Sequence, residues 1–191
     1  MIGTPYFLAF AVLVAAVAAV VDWRTGRIPN VLTLGALSLA PALHFCSALA
    51  AHGVSAGATA AASSVLSAVV AALVPASLYF GASAIGGGDV KLLAALGAVL
   101  GGAPGGLSGV MLGLEAELNA FLAAAMIFPA RLAYEGRLGG VLLNTLALVA
   151  NPLLPAHRRR TLTPEMMTYA RFGPAVLVGV VVTAISHWRQ P

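Results

Sequence analysis

Apolar runs of about 20 residues recur along this chain and constrain its fold more than any other feature, because each is long enough to cross ~30 Å of hydrocarbon. The 191 residues are 60% hydrophobic and only 8% charged, with a mean hydropathy of +0.97. In a bilayer the backbone must satisfy its own hydrogen bonds. We therefore predict an all-α, polytopic bundle of membrane helices that forms a single domain over residues 1–191.

Six spans are predicted from the apolar runs, at residues 3–21, 31–50, 58–80, 90–100, 107–130 and 172–187. A short polar loop, residues 22–30, follows the first span. The chain carries ten Lys and Arg against six Asp and Glu. These basic residues lie in short segments between apolar runs, as in cytoplasmic membrane loops. The lipid bilayer is thus the expected partner of the surface, and nucleic-acid binding is not expected.

The basic residues also predict an orientation with both termini outside. With six spans, only Arg189 falls on the outer side, and every other basic residue falls on the cytoplasmic side. Residues 138–155 are apolar enough to suggest a seventh span. That span would move the arginine run 158–160 to the outer side, against the charge rule. We therefore predict that residues 138–155 form an interfacial helix on the cytoplasmic surface.

Two aspartates lie at the ends of apolar runs, Asp22 in DWRTGRIPN and Asp89 in GGGDVK. A carboxylate at or near the hydrocarbon core costs a few kcal/mol and is a functional candidate by default. The predicted topology places both residues at the cytoplasmic boundary, although they are distant in sequence. If their helices are neighbours, the two carboxyl groups can face each other.

A pair of facing carboxyl groups is the arrangement that aspartyl proteolysis needs. Two like charges at short separation do not both ionise cheaply, so one group keeps its proton while the other acts as a base toward water. At Asp89 a helix N-terminus favours the ionised form and burial opposes it, and the sequence does not decide between them. The alternative interpretation is that each aspartate is a solvated loop acid.

Residues beside the aspartates have several open roles. Arg24 is an orientation charge first and a candidate for substrate contact. Pro29 is placed to start the second span, and Asn30 to cap or brace the loop. Lys91 is two residues beyond Asp89, so on a helix it points away from it. It extends toward headgroups, or it orients the substrate or the loop.

These segments resemble a known family. DWRTGRIPN resembles the D-x-R/K-x-x-x-I-P-N segment of the type IV prepilin peptidases, and GGGDVK resembles their G-x-G-D-x-K segment. Those enzymes belong to the GxGD membrane aspartyl proteases. The segment RFGPA, residues 171–175, resembles the family's C-terminal Gly-Pro turn. The resemblance covers nearly the whole chain.

The resemblance implies cleavage of the leader of a prepilin-like substrate at the cytoplasmic face of the bacterial inner membrane. Asp22 and Asp89 are then the catalytic pair, and Gly86, Gly88 and Lys91 are supporting positions. Pilus assembly machinery is a further partner to expect. Longer members carry paired cysteines for zinc and methylate the new N-terminus. This chain has one cysteine and resembles the short form that serves tight-adherence (Flp-type) pili, so no metal, cofactor or methyl transfer is expected.

Acidic residues in the fifth span support a rival function. Glu117 continues the small-residue stripe of Gly105, Gly109 and Gly113 and is expected to face protein. Glu115 and Asn119 form a second polar stripe. Both stripes are explained if these residues border the outer interface or form hydrogen bonds between helices. In a membrane carrier, or in a non-enzymatic subunit of a pilus or secretion assembly, these acids would serve ion coupling or helix packing. No two histidines have metal-ligand spacing.

Overall fold

The structure is a computed structural model that describes residues 4–82, 85–102, 106–150 and 171–188. These residues form seven helices and no strand, which confirms the prediction of an all-α fold. The helices are α1 (Thr4–Thr25), α2 (Asn30–His52), α3 (Val54–Ala82), α4 (Gly87–Gly101), α5 (Gly106–Tyr134), α6 (Leu138–Val149) and α7 (Gly173–His187). The chain divides into two compact units, Met1–Ala124 with Arg171–Pro191, and Ala125–Ala170.

Four helices are long and apolar enough to cross a membrane, namely Pro5–Thr25, Asn30–His52, Val54–Gly81 and Gly106–Tyr134. Large apolar side chains such as Leu13, Leu66 and Leu122 remain exposed on them. Such surfaces are stable against lipid, and the chain is a multi-pass membrane protein. Helices α4 and α7 have 15 residues each, so each is roughly 22 Å long and shorter than a full span.

Helix α4 is the centre of the first unit. It packs against α1, α2 and α3, and all of its residues from Ala95 to Gly101 are buried. Several of these residues are glycine or alanine, so the neighbouring helices can approach α4 closely. The helix that carries Asp89 in its first turn is therefore held on several sides.

The C-terminal end of α4 lies inside the bundle, where side chains from α2 and α3 satisfy its carbonyl groups. Ser64 of α3 donates a hydrogen bond of 2.7 Å to the carbonyl of Ala98. The Nε2 atom of His44 of α2 lies 2.9 Å from the carbonyl of Val99, and its ring stacks on Phe7 at 3.9 Å between centroids. These partners replace the water that the last carbonyls of a helix usually bind.

Helix α5 approaches α4 through the predicted small-residue stripe. Gly109 packs against the backbone of Gly101, and a Cβ atom at Gly113 would lie 2.6 Å from Oγ of Ser67 and 3.3 Å from Cα of Gly97. The prediction that this stripe serves close packing is confirmed at Gly109 and Gly113. Gly105 lies outside the described residues.

The predicted polar loop 22–30 is shorter than expected, because α1 continues to Thr25. Gly26 adopts a positive φ of 68° and donates a backbone hydrogen bond of 2.8 Å to the carbonyl of Asp22. This is a usual way for a helix to end. Asp22 therefore belongs to the last turns of a helix, and the interpretation of a loop acid is wrong for this residue.

The second unit contains the end of α5 and helix α6. Of the predicted interfacial helix 138–155, the structure has Leu138–Val149 as a helix, and residues 151–155 lie outside the described residues. Its 12 residues extend roughly 18 Å, which is too short for a span. Before it, Glu135 pairs with Arg131 at 2.8 Å, and this hydrogen bond lowers the pKa of Glu135.

Candidate functional site

Asp22 is buried and is held by the start of another helix. Its side chain is 6% exposed, and its Oδ2 atom accepts a hydrogen bond of 2.9 Å from the backbone amide of Gly173. Gly173 is the first residue of α7, whose N-cap residue Phe172 makes no side-chain cap. Asp22 therefore caps α7 from α1. The free amide groups and the dipole of a helix N-terminus favour a negative charge at this position.

Asp89 has a similar setting at the start of α4. It lies in the first turn of that helix, and its Oδ2 atom accepts a hydrogen bond of 3.2 Å from the amide of Gly86, the N-cap residue. Each of the two carboxyl groups thus uses one oxygen to bind an amide at a helix N-terminus. Among the described residues, no hydrogen bond reaches the Oδ1 atom of either aspartate.

The two carboxyl groups lie within electrostatic reach of each other. Burial first, and then the negative charge of Asp22, raise the pKa of Asp89 to about 6, although the amide of Gly86 opposes both effects. Asp89 lies outside the four long spans. The sequence did not decide whether burial or the helix N-terminus has the larger effect on the pKa of Asp89. In the structure, burial has the larger effect.

The three glycines before Asp89 each face a different neighbour. A Cβ atom at Gly86 would lie 3.1 Å from Oδ2 of Asp89, one at Gly87 would lie 3.6 Å from the ring of Tyr79, and one at Gly88 would lie 3.4 Å from Cβ of Ile28. At Gly87 and Gly88 such an atom would make only ordinary van der Waals contact. The end of α3 and the segment after α1 therefore pack directly against the first turn of α4, beside Asp89.

The segments that carry the two aspartates also contact each other directly. Lys91 donates a hydrogen bond of 3.0 Å from Nζ to Oδ1 of Asn30. Pro29 is the N-cap residue of α2, with φ −64° and ψ 133°. Of the roles left open for Lys91, this contact favours orientation of the loop before α2. Arg24 is exposed near the end of α1, and among the described residues it makes no contact with either carboxyl group.

Two residues of this site were not identified from the sequence. Gly173 contacts Asp22, and the guanidinium of Arg171 lies 5.7 Å from the ring centroid of Trp23, a cation–π distance. Both belong to the segment RFGPA, which was noted as a turn. The Gly-Pro pair predicts a turn in this segment. The contact of the segment with α1 could not be predicted, because it joins residues from opposite ends of the chain.

Polar residues of α5 and α7 form two hydrogen-bonded pairs between these helices. Oε2 of Glu115 lies 2.8 Å from Nε2 of His187, and Asn119 donates a hydrogen bond of 2.9 Å to Oγ1 of Thr183. Of the two explanations for Glu115 and Asn119, these contacts support hydrogen bonding between helices. Glu117 is 5% exposed, as expected for a residue that faces protein, and neither of its carboxyl oxygens has a partner in the described part of the chain.

The arrangement at Asp22 and Asp89 suits general acid and base chemistry. The negative charge of Asp22 favours the protonated form of Asp89. One oxygen of each is bound to an amide, and the other is available to water or to a substrate. In the described ranges, no cluster of three or more His, Cys, Asp or Glu side chains that could hold a metal ion is found.

Comparison with known proteins identifies one family. The family model of the type IV leader peptidases matches residues 9–130, which include both aspartates. This match confirms the resemblance that the two motifs indicated. A search of curated proteins gave no match, and a search of solved structures gave none.

Proposed function

Because this chain belongs to the type IV leader peptidase family, we propose that it is an aspartyl endopeptidase that removes the leader peptides of prepilins. The proposed substrates are Flp-like prepilins, cleaved at the cytoplasmic face of the bacterial inner membrane. The observation that carries the proposal is that Asp22 and Asp89 each bind an amide at a helix N-terminus and leave one oxygen open, with the charge of Asp22 acting on Asp89. A peptidase of this family with two such carboxyl groups needs no further group to activate water.

Asp89 is the proposed acid and Asp22 the proposed base. Burial and the charge of Asp22 raise the pKa of Asp89 and so favour its protonated form. Asp22 accepts an amide hydrogen bond at the N-terminus of α7, a setting that favours a carboxylate. With one proton on the pair, Asp22 can accept a proton from water while Asp89 donates one to the scissile carbonyl.

The proposed reaction has two steps. In the first, a water oxygen bonds to the carbonyl carbon, its proton passes to Asp22, and Asp89 protonates the carbonyl oxygen. In the second, Asp22 returns its proton to the peptide nitrogen, and the C–N bond breaks. Asp89 then regains a proton from a hydroxyl of the tetrahedral intermediate as the new carboxyl group forms. The pair ends with the single proton with which it began.

The supporting residues have positional roles in this proposal. Gly86 donates its amide to Asp89, Gly88 lies against Ile28, and Lys91 holds Asn30 at the start of α2. A prepilin would enter beside these segments, with its own apolar helix in the bilayer. The single cysteine of the chain supports the short, tight-adherence type of enzyme, which acts without zinc.

A carrier function is the alternative, and one observation favours it. Glu117 is buried in α5 without a partner for either carboxyl oxygen in the described residues. An intramembrane carboxyl group of this kind is common in proton and ion pathways. The carrier interpretation requires that activity depend on Glu117 and tolerate Asp89→Asn.

The proposal is tested by co-expression of the protein with a Flp-type prepilin and a gel assay of the size shift. Wild type is expected to cleave, and Asp22→Asn and Asp89→Asn are expected to reach the membrane without cleaving. Glu135→Gln is the matched control, because it removes an exposed carboxylate from the second unit. Cleavage by either aspartate variant at the wild-type rate would overturn the assignment of the pair.

A further inference from the structure

We infer that Gly173 is a positioning residue for the proposed cleavage, with α7 acting as the support that fixes the carboxylate of Asp22. The inference rests on the proposed function. It assigns a role to a residue of the last helix, beyond the region 9–130 that the family model matches.

The first observation is the hydrogen bond between the two residues. The amide of Gly173 lies 2.9 Å from Oδ2 of Asp22, and the bond is buried. It occupies one carboxylate oxygen and fixes the rotation of the side chain, so that the other oxygen has a defined direction. A charge-assisted bond of this kind is stronger than one between neutral groups.

The second observation is the absence of room for any side chain at Gly173. A Cβ atom there would lie 2.9 Å from both Cβ and Oδ2 of Asp22 and 3.1 Å from Cα of Ala19. Two of these atoms belong to the framework of α1 and do not move by side-chain rotation. A larger residue must therefore push α7 away from α1 or displace the carboxylate.

The third observation is that α7 is restrained against such a shift. Gly179 packs directly on the backbone of Ala120 of α5. One turn further along, Thr183 accepts the hydrogen bond of Asn119. Because α7 is fixed by these contacts, a residue that collides at position 173 has its effect at Asp22.

The direct test compares Gly173→Ala with Gly35→Ala. Gly35 is also a helical glycine of the first unit, and a Cβ atom there meets nothing within 4 Å. We expect Gly173→Ala to lower kcat for prepilin cleavage about 10-fold to 100-fold, as small misplacements of a reacting group do. KM should stay near the wild-type value, since the inferred role of Gly173 is to orient the carboxylate of Asp22 and not to contact the peptide. Gly35→Ala should change neither constant.

A wild-type kcat for Gly173→Ala overturns the inference. So does an increase in KM with kcat unchanged, because that result would assign Gly173 to substrate binding. A general loss of structure is recognised by the second test, which does not use activity.

The second test measures thermal unfolding in detergent for a double-mutant cycle. Gly173→Ala should lower the unfolding temperature in wild type and lower it much less in an Asp22→Gly background, where two of the three colliding atoms are gone. Equal losses in the two backgrounds, or failure to fold in both, overturn the inference. If wild type cleaves no prepilin, the proposed function fails, while this cycle still decides whether Gly173 positions Asp22.

Discussion

Lys91 and Asn30 are joined by a hydrogen bond of 3.0 Å between Nζ and Oδ1. The bond connects α4, which begins with the Asp89 motif, to α2, whose first residue is the last residue of the Asp22 motif. Since each motif supplies one aspartate, a contact between them restrains the separation of the two carboxyl groups. Lys91, two residues after Asp89, therefore restrains Asn30 at the end of the segment that follows Asp22.

Removal of this bond should slow prepilin cleavage moderately. We expect Lys91→Met and Asn30→Ala each to lower kcat/KM by about 2-fold to 10-fold, the equivalent of one exposed hydrogen bond. The double variant should be no slower than the slower single variant, because both remove the same contact. Arg27→Met is the control, as it removes an exposed cation from the same segment. Additive losses would show that the two residues act separately.

The pH dependence of cleavage should follow the proton on Asp89. Its pKa is raised to about 6, and the proposed acid must be protonated, so kcat/KM should fall as pH rises above about 6. This decrease in kcat/KM reports the loss of a proton from the free enzyme, and the pH of its midpoint is a property of the two carboxyl groups together. A kcat/KM that stays constant from about pH 6 to pH 8 would contradict the assignment of Asp89 as the acid.

The same raised pKa predicts the sign of a stability effect. Folded Asp89 binds its proton more tightly than the same residue in the unfolded chain, where its pKa is 3.8. Its stabilising contribution is therefore fully present below that value and is lost as pH rises through about 6. Thermal unfolding in detergent should show this decrease in wild type. Asp89→Asn should reduce it, and an unchanged pH dependence would argue against the shift.

Glu117 offers a test between the peptidase and the carrier. The peptidase proposal predicts that Glu117→Met keeps cleavage and raises the free energy of unfolding by about 1–3 kcal/mol, because a buried polar group without a partner is replaced by an apolar one of similar length. The carrier interpretation predicts loss of activity instead. Cleavage and thermal unfolding of the same preparation distinguish the two.

The contact between Asn119 and Thr183 should contribute to stability. Thr183→Val keeps the shape of the side chain and leaves the amide of Asn119 without its acceptor, so the free energy of unfolding should fall by about 1–2 kcal/mol. Thr59→Val is the matched control, since its hydroxyl bonds within α3 and is exposed. Equal effects of the two substitutions would mean that the bond between α5 and α7 stabilises nothing.

The sequence predicted the helices better than it predicted the contacts around the two aspartates. Apolar runs locate spans because hydrocarbon excludes unpaired backbone groups, and the spans then bring Asp22 and Asp89 to one end of the bundle. The error at Asp22 has a local cause. Its charge suggested a loop, whereas the helix continues to Thr25 and ends at the positive φ of Gly26.

Contacts between distant helices could not be predicted in the same way. The periodicity of α5 showed that Glu115 and Asn119 share a face, but the partners His187 and Thr183 depend on which helix packs there. The hydrogen bond from Gly173 to Asp22 is of the same kind. A periodic pattern along one helix indicates which face is buried, but it does not identify the helix that packs against that face.

The enclosed end of α4 constrains the order in which the chain assembles. The carbonyl groups of Ala98 and Val99 are satisfied by Ser64 and His44, which belong to the two preceding long helices. In hydrocarbon, these carbonyl groups would be costly without those partners. Helices α2 and α3 must therefore be in the membrane before α4 can take its final position, so Asp89 reaches its place only after these two helices have been inserted.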